Sequence, residues 1–477
     1  MIQTPFQRRR RTAARIALYG SLVLVAAAAV GLIGLLSRPM QPQQGELWVG
    51  HDYLNDPTVK LFQRYVQIDT SPATGDEMAG ARFLAEQLRA AGVEPRIERL
   101  GNGHVNLWAV IEGRRPAALV LHNHIDVSNV EDLEKWFEPP FAATIDLPWM
   151  YGRGVFDMKS VAIAQLQAFL ALKRSGVTPE HSVIFLATGD EEYGSRFGTQ
   201  WLLARHPELV RRFAAVLTEG GVVEARTRND IKYWGTEFAQ KRFADLVVCG
   251  PDRESIEALR DLVAERVDHT RHLRTVPEVR DYLAAYHPSR DRQELRRTLA
   301  DPSAIFGELA FFQTLPKYVK SLFRDEAVPF SWGEAPGGGW ELVIKFHLLP
   351  GTELADVRED LVPAWMLHGF ATTLREPASS RHGSPPDHRV VQLLGEAVEE
   401  RHEGARTGPM FLPWTATDAR FFRAAGIPAY GFSPFLIMST DTFQVDAPNE
   451  RIALPGFVEG VALYTDAVRR IASDTKW

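Results

Sequence analysis

From Asp56 onward the chain switches repeatedly between two apolar periods. VKLFQRYVQI and ARFLAEQLRAAGV space their apolar residues three and four apart, as one face of a helix requires, whereas PRIERL alternates like a half-buried strand. NLWAVIEG and AALVLHNHIDV then read as strands, KSVAIAQLQAFLALKRSG as a helix and SVIFLATGDEE as a buried strand. TQWLLARHPELVRRF is helical in spacing, and AAVLTEGG is a further apolar strand. Strands alternating with helices predict crossover units and therefore an α/β fold, a mixed, mostly parallel sheet flanked by helices. Ligands gather beyond the C-terminal strand ends of such sheets. Three apolar strands here end in polar residues, HNHID, GDEE and TEGG, so the pattern places a site there.

The style changes near residue 236. FADLVVCG, SIEALRDLVAERV, a long charged helical stretch, WELVIKFHLLPG and a second helical stretch describe a separate α+β unit. HRVVQLLGEAVEERH, ATDARFFRAAGIPAYGF and FVEGVALYTDAVRRIA then return to the first style. The expected organisation is a catalytic domain in two parts, residues 57–235 and 376–477, interrupted by an inserted α+β lid domain at 236–375. Ahead of it, FQRRRRTAAR leads into an uncharged apolar run from Ile16 to Ser37, long enough to span a bilayer as a helix. The exit SRPMQPQQ offers no A-x-A cleavage pattern, which favours an uncleaved signal anchor over a cleaved signal. Five arginines precede the span, and the positive-inside rule then puts the N-terminus in the cytoplasm and the remainder outside. Residues 1–38 are thus expected to form a cytoplasmic tail and transmembrane helix, and 39–56 a tether.

Composition narrows the picture. The single cysteine, Cys249, excludes an internal disulfide and a cysteine metal cluster. Beyond residue 38 lie 48 of the 54 Lys and Arg and all 60 Asp and Glu, a balance of −12 that argues against a nucleic acid partner.

Candidate chemistry sits at the strand ends. His124 and Asp126, two apart on a strand, share a face, and the carboxylate there either orients a metal-bound imidazole or serves only the structure. Asp157, in YGRGVFDMKS, opens a helix after a Gly-rich turn, a place for an N-cap as much as for a ligand. Glu191 and Glu192 end an apolar strand where unpaired carboxylates are costly to bury. They are either solvated charge, or one binds a cation while the other activates water as general base. Glu219 repeats that logic on the next strand. Asp446, in FQVDAPNERIAL, stands before Ala447-Pro448, which is turn chemistry on its own terms.

Taken together, HNHIDVSNVEDLEKWFEPPF, YGRGVFDMKS, GDEEYGS and TEGG, in this order and spacing over residues 119–221, resemble the aminoacylase, carboxypeptidase S and succinyl-diaminopimelate desuccinylase family of dinuclear zinc metallopeptidases. The resemblance runs from about Asp56 to the end and is weaker in the insert. It implies a zinc-exopeptidase-like fold and two divalent metal ions. His124 and Glu219 would bind one ion, Glu192 the other, and Asp157 would bridge them. Asp126 would orient His124, and Glu191 would be the general base that deprotonates a metal-bridging water. The implied reaction is hydrolysis of a peptide or N-acyl amide next to a free carboxylate, with a small peptide or N-acyl amino acid as substrate. ATDARFF also looks like the family's pocket-forming turn, with Thr417 and Arg420 as substrate contacts.

Three departures stand out. The family's Gly-Gly-His lid segment is replaced by VVCGPDRESIEAL, without histidine, and FHLLPG carries His347 where relatives often have an arginine. His269, His272 and His347 are either compensating groups or ordinary surface and core histidines. The last of the 14 histidines is His402, so the C-terminal metal-binding histidine of the family has no counterpart, and VDAPNER puts Asp446 in its place. One imidazole and four carboxylates would then face two cations, zinc foremost, with manganese, cobalt or magnesium as alternatives at the second position. The expectation is a membrane-anchored, extracytoplasmic metallohydrolase, with a homodimer compatible but unspecified. The alternative is a catalytically weak relative acting as a membrane-tethered binding protein; retention of the costly acid cluster Glu191, Asp126, Asp157 and Glu219 favours the enzyme.

Overall fold

The computed structural model describes residues 51–227, 230–267, 273–287, 300–301, 312–315, 317–335, 337–376, 382–436 and 444–477. The apolar run 16–37, His269 and His272 lie outside the described residues. Among the described residues, no helix is long and apolar enough to cross a membrane.

The strands are β1 (Arg96–Arg99), β2 (Val105–Ile111), β3 (Arg115–His124), β4 (Thr144–Asp146), β5 (Trp149–Tyr151), β6 (His181–Thr188), β7 (Phe213–Thr218), β8 (Val223–Thr227) and β9 (Asp230–Gln240). They continue as β10 (Arg242–Gly250), β11 (Glu326–Glu334), β12 (Trp340–Leu348), β13 (Ala371–Arg375), β14 (Thr407–Leu412), β15 (Ala429–Gly431) and β16 (Arg451–Ala453). The largest sheet runs β1-β2-β6-β3-β7-β15-β9-β14, with β8 on β9. Its centre is parallel, β3 lying between β6 and β7, with β15 parallel to β7 and β14 parallel to β9. Pairs β1–β2, β2–β6, β8–β9 and β9–β15 are antiparallel, so the sheet is mixed, its parallel pairs lying in the run β6-β3-β7-β15 and at the β9–β14 edge. β8 and β9 are consecutive and separated by two residues, a connection that only an antiparallel pair can make.

Local chemistry sets the helices. Asp56 caps Pro57–Val66 by accepting from the N–H groups of Thr58 and Val59, with proline at the first turn. Lys159–Arg174 is apolar on most faces and is buried along most of its length, packed on the sheet and on the helix Leu454–Ser473. The helical run predicted over TQWLLARHPELVRRF breaks at His206 into Thr199–Arg205 and Pro207–Val210, because Pro207 cannot donate into the preceding turn.

A second, antiparallel sheet, β11-β12-β10-β13, has its own core of Leu246, Val248, Ile256, Leu342, Ile344 and Phe346. Since β12 sends Leu342, Ile344, Phe346 and Leu348 inward, Lys345 and His347 take its opposite face. A small third sheet, β16-β5-β4, pairs Arg451 with Tyr151 and so brings the segment after Asp446 beside the one before Asp157.

Candidate active site

Parallel pairing of β3 with β6 and β7 sets His124 opposite Thr188 and Leu121 opposite Leu217, so the loops beyond the three strand ends converge. His124 is 1 % exposed, and its Nδ1 donates to the backbone carbonyl of Asp126 at 2.9 Å. That bond turns Nε2 toward Asp157 Oδ1, at 3.1 Å, and Glu219 Oε2, at 3.6 Å. The orienting contact expected of the Asp126 side chain thus comes from its backbone, its carboxylate standing 3.7 Å from Nδ1. The Asp126 carboxylate instead accepts from the Glu192 N–H at 3.0 Å and fixes the loop after β6.

Two sets of ligand atoms lie within 4.8 Å of one another, His124 with Glu191 and Glu219, and His124 with Asp157 and Glu192. The expected base, Glu191, therefore reaches the same point as His124 and Glu219. Burial and the charge of Glu219 hold the Glu191 carboxyl well above the usual carboxylate range. Burial and Asp446 do the same for Glu192, and burial and Asp157 push Glu219 up to about 8. Burial alone would lower His124, but Glu219, Asp157 and Asp126 outweigh it and hold the imidazole well above its ordinary value. For Asp157, burial is outweighed by hydrogen bonding to His124, and its carboxyl stays low. Glu192 Oε1 is buried without a hydrogen-bond partner, while Oε2 accepts from Ser128 at 2.6 Å. Oxygen-rich, mutually repelling and partly unpartnered, this donor set fits divalent cations, which would favour the ionised carboxylates.

Asp446 belongs to neither set. Its backbone is left-handed, φ 58°, and its carboxylate, 38 % exposed, faces Arg153 Nη1 at 3.5 Å. Lost hydration in the cleft and the charge of Asp157 nevertheless push its carboxyl up to about 6 against the pull of Arg153. It therefore stands at the edge of the cluster, within electrostatic reach of Asp157 and Glu192.

Beneath Asp446 lies a clamp that the sequence reading missed. Arg153, 2 % exposed, donates to Glu450 Oε2 at 2.9 Å and to the Asp446 carbonyl at 2.9 Å. Glu450 also accepts from the N–H groups of Gly154 at 3.1 Å, Phe156 at 2.8 Å and Asp157 at 3.2 Å. The charged pair of YGRG and APNER was the available signal, but nothing local links two residues so far apart in the chain.

Of the proposed substrate contacts, Thr417 is 4 % exposed and its hydroxyl accepts from the Ala419 N–H, while its backbone N–H donates to Gln240 at 2.9 Å. Arg420 lies over Phe421, its Nε buried without a partner, and its charge acts on Glu191. Lys345, which the sequence reading did not select, feels both Arg420 and Glu191, and burial lowers its ammonium. His347 rests edge-on to Phe243, and burial with Lys241 and Lys345 nearby drives its pKa down to about 3, so it is neutral.

Comparison with known proteins gives a family and a fold. A family model described as peptidase family M20/M25/M40 matches residues 120–470. Aminoacylase-1A of Rattus norvegicus is 24% identical over 429 residues, covering 87% of this chain and 96% of the relative. Succinyl-diaminopimelate desuccinylase of Dechloromonas aromatica (strain RCB) is 34% identical over 152 residues, 31% of this chain and 38% of that protein. Among solved structures, an M20 family metallo-carboxypeptidase from Sulfolobus solfataricus superposes with a TM-score of 0.64 at 18% identity, covering 88% of this chain and 99% of its own, a likeness of fold.

Proposed function

Since the chain belongs to peptidase family M20/M25/M40 and is accordingly a hydrolase of peptide or amide bonds, we propose that it cleaves a peptide or N-acyl amide next to a free carboxylate. The observation that carries this reading is the pair of ligand sets that share His124 and hold Glu191 at the same point. His124, Asp157, Glu192, Glu219 and Asp446 would hold two divalent cations, whose chemistry there would be to lower the pKa of the attacking water and polarise the scissile carbonyl. Glu191 takes the proton from that water and delivers it to the departing nitrogen, the two duties of a general base that turns acid. Arg420 and Lys345, two cations near Glu191 on different parts of the fold, hold the substrate carboxylate. Zinc suits the His124 side, and the carboxylate-rich Asp446 side favours a harder ion such as manganese or magnesium.

The uncharged run Ile16 to Ser37 behind five arginines supports a single-pass anchor with the catalytic part outside the cytoplasm. The test of the whole reading is a panel of dipeptides and N-acyl amino acids assayed with Zn²⁺, Mn²⁺ or Co²⁺. Hydrolysis is expected, with kcat lowered about 10³-fold in Glu191→Gln. No turnover with any metal, and substrate binding equal in both proteins, would establish a tethered binding protein instead.

A further inference from the structure

Behind the acid cluster lies a second set of buried polar groups that the proposed chemistry does not use. Asp418, 0 % exposed, precedes the helix Ala419–Ala424, which carries Arg420. Its Oδ1 accepts a short hydrogen bond from Ser195 Oγ. Its Oδ2 stands 3.6 Å from His122 Nε2 without a hydrogen-bond partner. Ser195 is itself 0 % exposed and closes the loop that holds Glu191 and Glu192: its N–H donates to the Asp190 carbonyl at 2.5 Å and its carbonyl accepts from Gln200 at 3.1 Å.

His122 extends the set to the other strands. It lies two residues before His124 on β3, with Nδ1 2.8 Å from Thr218 Oγ1, the residue before Glu219. Its Nε2 is 3.0 Å from Thr188 Oγ1, at the end of β6, and 3.0 Å from Thr199 Oγ1. Every segment that presents His124, Glu191, Glu192, Glu219 or Arg420 is therefore joined at one buried point. A carboxylate enclosed there with no guanidinium or ammonium on it among the described residues is a costly way to fill space. Apolar side chains would fill it with less penalty but would not fix direction.

We infer that Asp418 is a positioning residue, which through Ser195 locks the Glu191–Glu192 loop to the Arg420 turn so that base and carboxylate-binding arginine keep one spacing. The inference rests on the proposed hydrolysis for its kinetic consequence, because a base displaced by about 1 Å loses on the order of 10²-fold in rate. Its structural content, the Ser195–Asp418 joint, stands apart from it.

The experiment compares Ser195→Ala, Asp418→Ala, Asp418→Asn and the double alanine variant in kcat, KM, metal content and amide hydrogen exchange of residues 190–198. Each single alanine is expected to lower kcat about 10²-fold with KM within about threefold and metal content retained. The double variant should be no worse than the poorer single one, because the pair acts as a unit. Asparagine, which keeps the acceptor for Ser195, should recover at least about tenfold of the loss. Losses that multiply, a parent-like kcat in Ser195→Ala, or Asn as impaired as Ala would overturn the inference. Failure of the parent to hydrolyse anything would sink the proposed function alone, since the exchange measurement still decides: faster exchange of 190–198 in Ser195→Ala supports the joint, and unchanged protection overturns it.

Discussion

Glu450→Ala should loosen the turn that presents Asp157 and cost the protein both stability and metal. Glu450 is 1 % exposed and accepts four hydrogen bonds, one from Arg153 and three from backbone N–H groups of the 154–157 turn. Truncation leaves the Arg153 guanidinium, 2 % exposed, without its carboxylate, a change that costs about 3–5 kcal/mol. The stranded N–H groups add to this, though not independently, so about 4–6 kcal/mol is a reasonable total. At about 2.1 cal/mol/K per residue, a folded unit of roughly 430 residues has an unfolding entropy near 0.9 kcal/mol/K, and the melting temperature should fall about 5 °C. Glu450→Gln keeps one acceptor and should lose roughly half as much. Differential scanning calorimetry gives the first quantity, and elemental analysis of purified protein the second, with metal content expected to drop in the alanine variant. A melting temperature within about 1 °C of the parent, with metal content intact, would refute the reasoning that Glu450 holds the Asp157 turn.

Three further outcomes are expected. Asp446→Ala should lose one of two bound ions and Asp446→His should tighten zinc, both measurable by titration calorimetry; a single tight ion indifferent to Asp446→Ala contradicts the ligand assignment. Lys345→Ala or Arg420→Ala should lower kcat/KM about 10²-fold for substrates with a free carboxylate, and hardly at all for the same substrates capped as amides; equal losses on both would remove the carboxylate role. Burial drives His122 from 6.5 to about 4, so the folded state refuses a proton that the unfolded chain accepts. Its contribution is present above about pH 6.5 and is lost as pH falls toward 4, roughly 3 kcal/mol in all. Urea midpoints of metal-free protein should therefore show the parent losing more stability than His122→Gln between pH 7 and about 4; parallel curves would rule this out. Glu219, pushed up to about 8, shifts in the opposite sense, which is why the difference between the two proteins, and not the parent's curve, is the test.

Much of the centre was legible because its determinants are local. The apolar runs of β3, β6 and β7 and the amphipathic spacing between them dictate crossover pairing, and that pairing must set strand ends side by side. His124, Glu191, Glu192 and Glu219 are attached to those ends, and Asp157 to the helix that follows, so their convergence needed no knowledge of distant contacts. The antiparallel pairs of the sheet were harder to read, since a strand's own period does not state which neighbour it takes. Lys345 was passed over for the same kind of reason: alternation along β12 assigns it a face, but only packing of the second sheet's core decides which face looks toward Glu191.

Sequence by itself set the α/β pattern and the strand-end placement of His124, Asp157, Glu191, Glu192 and Glu219, because hydrophobic period and motif spacing are properties of short segments, whereas the roles proposed for them came from the family resemblance. Tertiary structure alone decided that Arg153 meets Glu450 across nearly three hundred residues, that Asp446 stands against Arg153 at the rim, and that Asp418 accepts from Ser195 and stands beside His122 beneath the acids. Those contacts depend on which buried charges find one another when the chain closes, and a buried charge takes its partner from three-dimensional proximity rather than from sequence separation.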